Sequence, residues 1–126
     1  MKVVSVEGAP KAIGPYSQGI VAGGFCFTAG QVPFDPATMK IVEGDIRVQA
    51  ERVFDNLQAV LGGAGCSFRD VVKATVFLTD LSEFAEMNAV YAARFGDHRP
   101  ARSTVQVAKL PAGARLEVDL VALIPS

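Results

Sequence analysis

"VVKATVFLTDLSEFAEMNAVYAARFG", residues 71–96, joins a strand pattern to a helix pattern without a break. Its first eight residues are rich in β-branched side chains and predict a strand over 71–78. Asp80 and Glu83, three residues apart, indicate a variant of the capping box at the start of a helix. Apolar side chains then recur at helical spacing as far as Gly96, where the helix is expected to end. This apolar stripe consists of Phe84, Met87, Val90, Tyr91 and Phe95.

A second helix is predicted upstream of that stretch. Asp45 is suited to the N-cap position, because its side chain can accept a hydrogen bond from the first helical turn. Gly62 and Gly63 mark the helix end. Between them, apolar residues again recur with the period of an amphipathic helix. They are Ile46, Ala50, Val53, Phe54, Leu57, Val60 and Leu61.

The rest of the chain predicts mainly strands and loops. Residues 2–6 alternate weakly and suit a short edge strand. Two further strands flank Gly23-Gly24, a pair typical of a hairpin turn. The last two strands are expected near 103–109 and 115–124, joined by the turn "LPAGA". Residues 12–19 are interpreted as a loop because they are rich in Gly and Pro, and residues 31–44 because they carry two prolines and show no periodicity.

The predicted order of elements is β-β-β-α-β-α-β-β, an α+β arrangement in which two helices can cover one face of one sheet. Alternation along the last strand separates an apolar face, suited to the helices, from a mixed face. The apolar face carries Leu116, Val118, Leu120 and Ala122, and the mixed face carries Arg115, Glu117, Asp119, Val121 and Leu123. A mixed, partly apolar open face indicates contact with another subunit.

Composition excludes several classes of function. The chain of 126 residues predicts a single domain over 1–126, half of it hydrophobic, with a net charge of −1. It has no dense run of Lys and Arg, so no nucleic-acid partner is expected. It has no run of about 18 apolar residues, so no membrane span is expected. Cys26 and Cys66 form no Cys-x-x-Cys motif and no secretory leader is evident, which together predict a cytoplasmic protein.

Histidine and cysteine offer little for catalysis. His98 is the only histidine, so a multi-histidine metal site is excluded and no metal is expected. In the sequence "GDHRP" it is interpreted as a solvated loop residue. Cys26 lies in an apolar strand and is expected in the core, and Cys66 is interpreted as structural.

The strongest candidate for chemistry is "RPARSTVQV", residues 99–107. Arg102 is expected directly before a strand, where its planar guanidinium can bind a carboxylate through two hydrogen bonds. Arg99 is interpreted as a loop residue only. With Glu117 on the mixed face and Tyr16 in a Gly-Pro loop, Arg102 suggests a site for a small acid. The alternative is a surface arginine, a rim glutamate and a core tyrosine, and composition and spacing alone favour it.

Several motifs in order resemble one family. They are "AIGPYSQG", "FTAGQVPFDP", the stretch "VVKATVFLTDLSEFAEMNAVYAARF", "RPARSTVQVAKLP" and "LEVDLVAL". Together they resemble the Rid family, also called YjgF/YER057c/UK114, nearly from end to end. The branch they most resemble is RidA, the 2-iminobutanoate/2-iminopropanoate deaminases.

The resemblance implies a chorismate-mutase-like mixed sheet with two helices packed on one face. It also implies a homotrimer around a central sheet-lined core, with clefts between subunits. The implied reaction is hydrolysis of imino acids to 2-oxo acids and ammonia, without a cofactor. The catalytic residues implied are Arg102, Glu117 and Tyr16. The substrate-binding residues implied are Arg102, Asn88, Gly30, Val32 and Thr104.

Two positions depart from the RidA pattern. Ala29 stands where relatives usually carry serine, and Thr104 stands where they often carry cysteine. The preferred imine is therefore left open. Two other functions are also left open: a regulator that binds small carboxylates without turnover, and a ribonuclease or translation inhibitor. The acidic composition and the lack of a basic or aromatic platform argue against the second.

Overall fold

The computed structural model describes residues 1–126, which form a six-stranded sheet, a separate small hairpin and two α-helices. The helices are α1, Ile46–Gly63, and α2, Phe84–Phe95. The strands are β1 Lys2–Val4, β2 Gly19–Ala22, β3 Phe25–Thr28, β4 Phe34–Asp35, β5 Lys40–Ile41, β6 Val71–Leu78, β7 Ala101–Gln106 and β8 Leu116–Leu123. Short 3₁₀ turns cover Phe68–Asp70, Leu81–Glu83 and Pro111–Gly113.

The order of strands in the large sheet is β1-β2-β3-β8-β6-β7. All neighbours pair antiparallel except β6 and β7, which run parallel and are joined through α2. A crossover helix is the usual way to connect parallel neighbours. The sheet is therefore mixed, with β1 and β7 at its two edges and β8 near its middle.

Both helices pack on the same face of this sheet, as predicted. The β8 residues assigned to the apolar face, from Leu116 to Ala122, are all buried, and they share one hydrophobic core with α1 and α2. Aromatic rings join the two helices inside that core, since the Phe54 centroid lies 5.8 Å from that of Tyr91 and 6.1 Å from that of Phe95. The α+β prediction with two helices on one face is confirmed.

The two helix starts differ in how well the sequence predicted them. Asp45 caps α1 as expected, because its Oδ1 accepts a hydrogen bond from the Val48 amide at 3.0 Å. Asp80 instead caps the 3₁₀ turn that precedes α2, accepting from the Ser82 amide at 2.9 Å. Glu83 does not complete a capping box, since its carboxylate accepts a hydrogen bond from Arg115 at 2.8 Å. A charge-assisted pair is stronger than a bond to a neutral amide, which explains the difference.

The sequence predicted a simple loop over residues 31–44. The structure corrects this, because the segment contains the β4–β5 hairpin. The turn is held by the Asp35 carboxylate, which accepts from the Ala37 amide at 2.8 Å, and Met39 adopts a φ of 58°. Prolines on either side of β4 hide this hairpin from a pattern analysis, because they suppress the expected alternation. Strand β7 also begins earlier than predicted, so Arg102 lies inside it and not before it.

The face of the sheet opposite the helices carries both apolar and acidic side chains. Phe27, Val105 and Leu123 are 43–49 % exposed on this open face. Glu117 and Asp119 lie among them, half-buried. The mixed character predicted for this face is therefore present, and the predicted trimer stays a prediction.

The sequence predicted that His98 is a solvated loop residue, and this prediction is wrong. His98 is half-buried, and its Nε2 lies 2.6 Å from the carbonyl oxygen of Val71. The contact ties the loop after α2 to the start of β6, which gives the histidine a structural role.

None of the helices has both the length and the apolar character required to cross a membrane.

Candidate active site

Glu117 lies on β8, and the segment before β4 packs directly against it. Gln31 and Val118 exchange two backbone hydrogen bonds, of 2.8 and 3.1 Å, which hold this segment beside the strand. Gly30 then faces the Glu117 carboxylate so closely that a Cβ on Gly30 would lie 2.4 Å from its Oε2. Only glycine leaves room for the carboxylate in this position.

The surroundings of Glu117 favour its protonated form. Partial burial raises the pKa of its carboxyl above the ordinary value, and the nearby charge of Asp119 raises it further. A carboxyl with a raised pKa gains and loses a proton more readily near neutral pH than an exposed one. Glu117 is thus suited to acid–base chemistry.

Tyr16 lies on the other side of Gly30, in the Gly-Pro loop. Its amide donates to the carbonyl of Gly14 at 2.8 Å, and Tyr16 is 52 % exposed. The alternative interpretation of the sequence, in which Tyr16 is a core residue, is therefore wrong. Together these segments enclose a cavity of about 540 Å³. We call it the tyrosine–glutamate pocket, and its lining is Ile13, Tyr16, Ala29, Gly30, Val32, Phe34, Pro111, Ala112 and Glu117.

Arg102 lies in a different pocket, between edge strand β7 and helix α2. Its Nη1 donates to the Asn88 side-chain oxygen at 2.7 Å, and the guanidinium carbon lies 4.5 Å from the centroid of the Tyr91 ring. No carboxylate lies within 4.0 Å of it. We call this cavity of about 390 Å³ the arginine pocket, and its lining is Asn88, Tyr91, Ala92, Arg99, Pro100 and Arg102.

The two pockets open on opposite faces of the sheet. Arg102 is paired with Ala74 of β6, which is buried beneath the helices, whereas Glu117 is paired with Phe77 on the open face. Because paired residues share a face and alternate residues do not, the two side chains point away from each other. One chain therefore brings Tyr16 to Glu117 but does not bring Arg102 to either of them.

The remaining candidates divide in the same way. Gly30 and Val32 line the tyrosine–glutamate pocket, and the Val32 carbonyl accepts a hydrogen bond from Asn56 at 3.3 Å. Asn88 lies in the arginine pocket. Thr104 lines neither pocket, and its hydroxyl is buried without a hydrogen-bond partner.

Sequence reasoning missed three neighbours of Arg102. Arg99, interpreted as a loop residue only, lines the same pocket, while Phe84 and Tyr91 contact the guanidinium from α2. Spacing could have suggested the last two, because residues 84, 88 and 91 lie on one face of a helix. Nothing in the sequence shows that this face turns towards β7.

Comparison with known proteins then places the chain. The family model described as Endoribonuclease L-PSP matches residues 6–124. The chain belongs to this family, the Rid family. Its fold agrees with that assignment, since solved members share the mixed sheet and two helices.

Similar proteins of this family carry different descriptions. A RutC family protein of Pyrococcus horikoshii is 50 % identical over 121 residues, covering 96 % of each chain. The 2-iminobutanoate/2-iminopropanoate deaminase of Escherichia coli strain K12 is 43 % identical over 125 residues, covering 97 % of each. A crystal structure of Escherichia coli TdcF with bound serine has a TM-score of 0.93 and 43 % identity, covering 98 % of each.

Proposed function

We propose that this protein hydrolyses small imino acids, such as 2-iminobutanoate and 2-iminopropanoate, to 2-oxo acids and ammonia. The observation that carries the proposal is the unpaired guanidinium of Arg102, held in a fixed orientation without a carboxylate partner. A relative of 43 % identity that is named as such a deaminase supports the reaction class. The serine bound in the TdcF structure shows that a related chain accepts a ligand of this size.

Arg102 binds the substrate carboxylate. One of its nitrogens donates to Asn88, and the remaining nitrogens are proposed to bind the carboxylate oxygens. A charge-assisted contact of this kind contributes about 1.5–3 kcal/mol, more than a neutral hydrogen bond. Asn88 thus orients the arginine and does not itself need to contact the substrate.

Glu117 handles the water. As water attacks the imine carbon, Glu117 accepts one of its protons, and the C=N bond becomes a C–N single bond. Glu117 then returns that proton to the nitrogen, and a second proton reaches the nitrogen from solvent. Ammonia leaves as the C=O bond forms and the remaining hydroxyl proton passes to solvent, so the net proton balance is zero. The raised pKa of Glu117 suits both directions of transfer. Water and proton transfers complete the reaction, so no cofactor is called for.

Tyr16 and the backbone at Gly30 and Val32 complete the pocket around the reacting carbon. The exposed Tyr16 ring lines the cavity, and its hydroxyl is proposed to polarise the imine nitrogen. Thr104 is proposed to act through its backbone, since its side chain lines neither pocket. Positioning of this kind, together with one acid–base group, suffices for an imine that already hydrolyses quickly in water.

We further propose that each active site is shared by two chains of a homotrimer. Within one chain Arg102 and Glu117 point to opposite faces of the sheet, but Arg102 lies on edge strand β7, where a neighbouring chain has access to it. The open face of the sheet carries the exposed apolar residues expected of a subunit contact. A ring of three chains would bring the arginine pocket of one to the tyrosine–glutamate pocket of the next. The two unpaired thiols suit a reducing compartment such as the cytoplasm.

The decisive experiment combines an activity assay with subunit mixing. The purified protein is added to imines generated from several amino acids, and the loss of imine is followed over time. Light scattering on the same sample counts the chains in the assembly. Arg102→Ala and Glu117→Gln should each lose most of the wild-type activity, by roughly 10- to 150-fold for Arg102→Ala. Trimers formed from an equal mixture of the two variants should regain about a quarter of wild-type activity, because one cleft in four would contain both intact residues.

Four outcomes would count against the proposal. A stable monomer would leave Arg102 and Glu117 apart. Absence of recovery on mixing would mean that the two residues do not act in one cleft. Binding of 2-oxobutanoate without any imine turnover would favour the regulator, and RNA cleavage without imine turnover would favour the ribonuclease.

A further inference from the structure

One face of helix α2 encloses the Arg102 guanidinium. Phe84, Asn88 and Tyr91 occur at helical spacing and therefore share the side of α2 that faces strand β7. Asn88 accepts the hydrogen bond from Nη1 at 2.7 Å. The rings of Tyr91 and Phe84 lie 4.5 and 5.3 Å from the guanidinium carbon, measured to their centroids. Arg102 is thus oriented by an amide and two aromatic rings.

This environment differs from that of two other arginines with defined partners. Arg94 contacts the carboxylates of Glu51 and Asp55 at 3.0 and 2.8 Å, and Arg115 contacts that of Glu83 at 2.8 Å. A carboxylate fixes a guanidinium but also neutralises it. Aromatic rings attract the cation through their electron-rich faces and leave its charge available to a ligand.

Tyr91 is the more rigid of the two rings. It is 5 % exposed, and its centroid lies 4.5 Å from that of Phe95 and 5.8 Å from that of Phe54, so its ring is fixed by the core. Its hydroxyl is buried without a hydrogen-bond partner. A buried hydroxyl without a partner contributes nothing favourable to folding. The ring face lies within cation–π range of the Arg102 guanidinium, and comparison of Tyr91→Phe with Tyr91→Leu separates its contribution from that of the hydroxyl.

We propose that Tyr91, assisted by Phe84, is a positioning residue that presents the charged Arg102 guanidinium to the carboxylate of the ligand. The inference rests on the proposed function only in taking that ligand to be a small 2-oxo or imino acid. Tyr91 acts through Arg102 and contacts no reacting atom. Its ring sets the affinity for the acid, and it leaves the proton transfers at Glu117 unaffected.

The test measures binding and not turnover. Calorimetry with 2-oxobutanoate gives a dissociation constant for wild type, Tyr91→Leu, Tyr91→Phe and Phe95→Leu. Tyr91→Leu keeps the apolar volume but loses the ring face, so the dissociation constant should rise by roughly 3- to 30-fold, the range expected for one cation–π contact. Tyr91→Phe keeps the face and should restore most of the affinity.

Phe95→Leu is the matched control. Phe95 packs in the same aromatic cluster, is 4 % exposed and does not line the arginine pocket. Leucine at position 95 still packs against Tyr91, and Phe54 still holds the ring, so the variant should lose a similar amount of stability while its affinity falls much less than that of Tyr91→Leu. A second probe, the neutral amide of 2-oxobutanoate, should bind Tyr91→Leu and wild type equally, because it lacks the charge that Arg102 recognises.

Three results would overturn the proposal. Equal weakening by Tyr91→Leu and Phe95→Leu would mean that the ring only supports the core. Equal weakening by Tyr91→Phe and Tyr91→Leu would assign the effect to the hydroxyl. If wild type shows no carboxylate-dependent binding, Arg102 does not bind the carboxylate of the acid and Tyr91 has no such role to support. If wild type binds the acid with the expected pattern but hydrolyses no imine, the proposed function fails and this inference stands.

Discussion

Replacement of Gly30 by alanine should separate activity from stability. The added Cβ would lie 2.4, 2.7 and 3.0 Å from Oε2, Cδ and Cγ of Glu117, whereas ordinary van der Waals contacts of a Cβ begin at 3.4 Å. The carboxylate must therefore move by about 1 Å. A displacement of that size at a reacting group can lower the rate by roughly 100-fold. Folding should change little, because the group that moves is the flexible end of a side chain and Gly30 does not have a positive φ.

The measurement is kcat/KM on one imine substrate, together with the thermal midpoint of unfolding. Gly62→Ala is the matched control: Gly62 lies in the last turn of α1, and a Cβ there would have no neighbour within 4 Å. This variant should gain about 0.5–1 kcal/mol of stability from the better helix former and keep wild-type activity. In a Glu117→Gln background, Gly30→Ala should have little further effect, because both changes act on the same group.

Full activity of Gly30→Ala would refute the reasoning, since the Glu117 carboxylate cannot keep its position beside a Cβ at Gly30. Additive losses in the double variant would also contradict it, because they would mean that Gly30 acts through a partner other than Glu117. Unfolding of Gly30→Ala would show that the backbone and not the carboxylate yields. Each result is distinguishable by measuring activity and unfolding on the same sample.

Three further changes test other parts of the site. Arg102→Ala should lower kcat/KM by roughly 10- to 150-fold and Arg102→Lys nearly as much, since a charge-assisted bond contributes about 1.5–3 kcal/mol. Arg99→Ala should cause a smaller fall, because Arg99 is exposed and donates only to backbone carbonyls. An equal fall in the two alanine variants would mean that the wrong arginine was chosen. Burial raises the pKa of Asp119, so between the ordinary carboxyl pKa and the raised one the folded chain holds a proton that the unfolded chain loses. The thermal midpoint should therefore fall as pH rises through that window. A pH dependence unchanged by Asp119→Asn would contradict this. Burial also raises the pKa of the Cys26 thiol, and it raises the pKa of the Cys66 thiol to about 11. Iodoacetamide should therefore react slowly and leave activity intact. Rapid inactivation of the intact assembly would refute the structural role of both thiols.

The sequence predicted the helices and the β8 face well because their periodicity was unambiguous. Alternation in β8 separates buried Leu116 and Val118 from half-buried Glu117, and the structure follows it. Residues 31–44 were wrong as a loop because two prolines obscure a hairpin whose turn depends on Met39 at positive φ. No periodicity signals a left-handed methionine.

The site was harder to predict than the fold because it depends on register. That Arg102 points towards α2 follows from its pairing with Ala74, and that Glu117 points the other way follows from its pairing with Phe77. Shifting either pairing by one residue would reverse the face. The sequence identified the residue types correctly, but strand register, and with it the division into two pockets, exists only in the folded chain.

The central position of β8 has a consequence for synthesis of the protein. β8 is translated after every other strand of this sheet, yet it pairs with β3 on one side and β6 on the other. Until it emerges, the β1–β3 segment and the β6–α2–β7 unit each expose an unpaired strand edge and have no sheet contact with each other. Such edges recruit chaperones or neighbouring chains. A nascent chain that stalls before residue 116 therefore presents two strand groups without sheet pairing between them to quality control, and the sheet can assemble only after β8 has been translated.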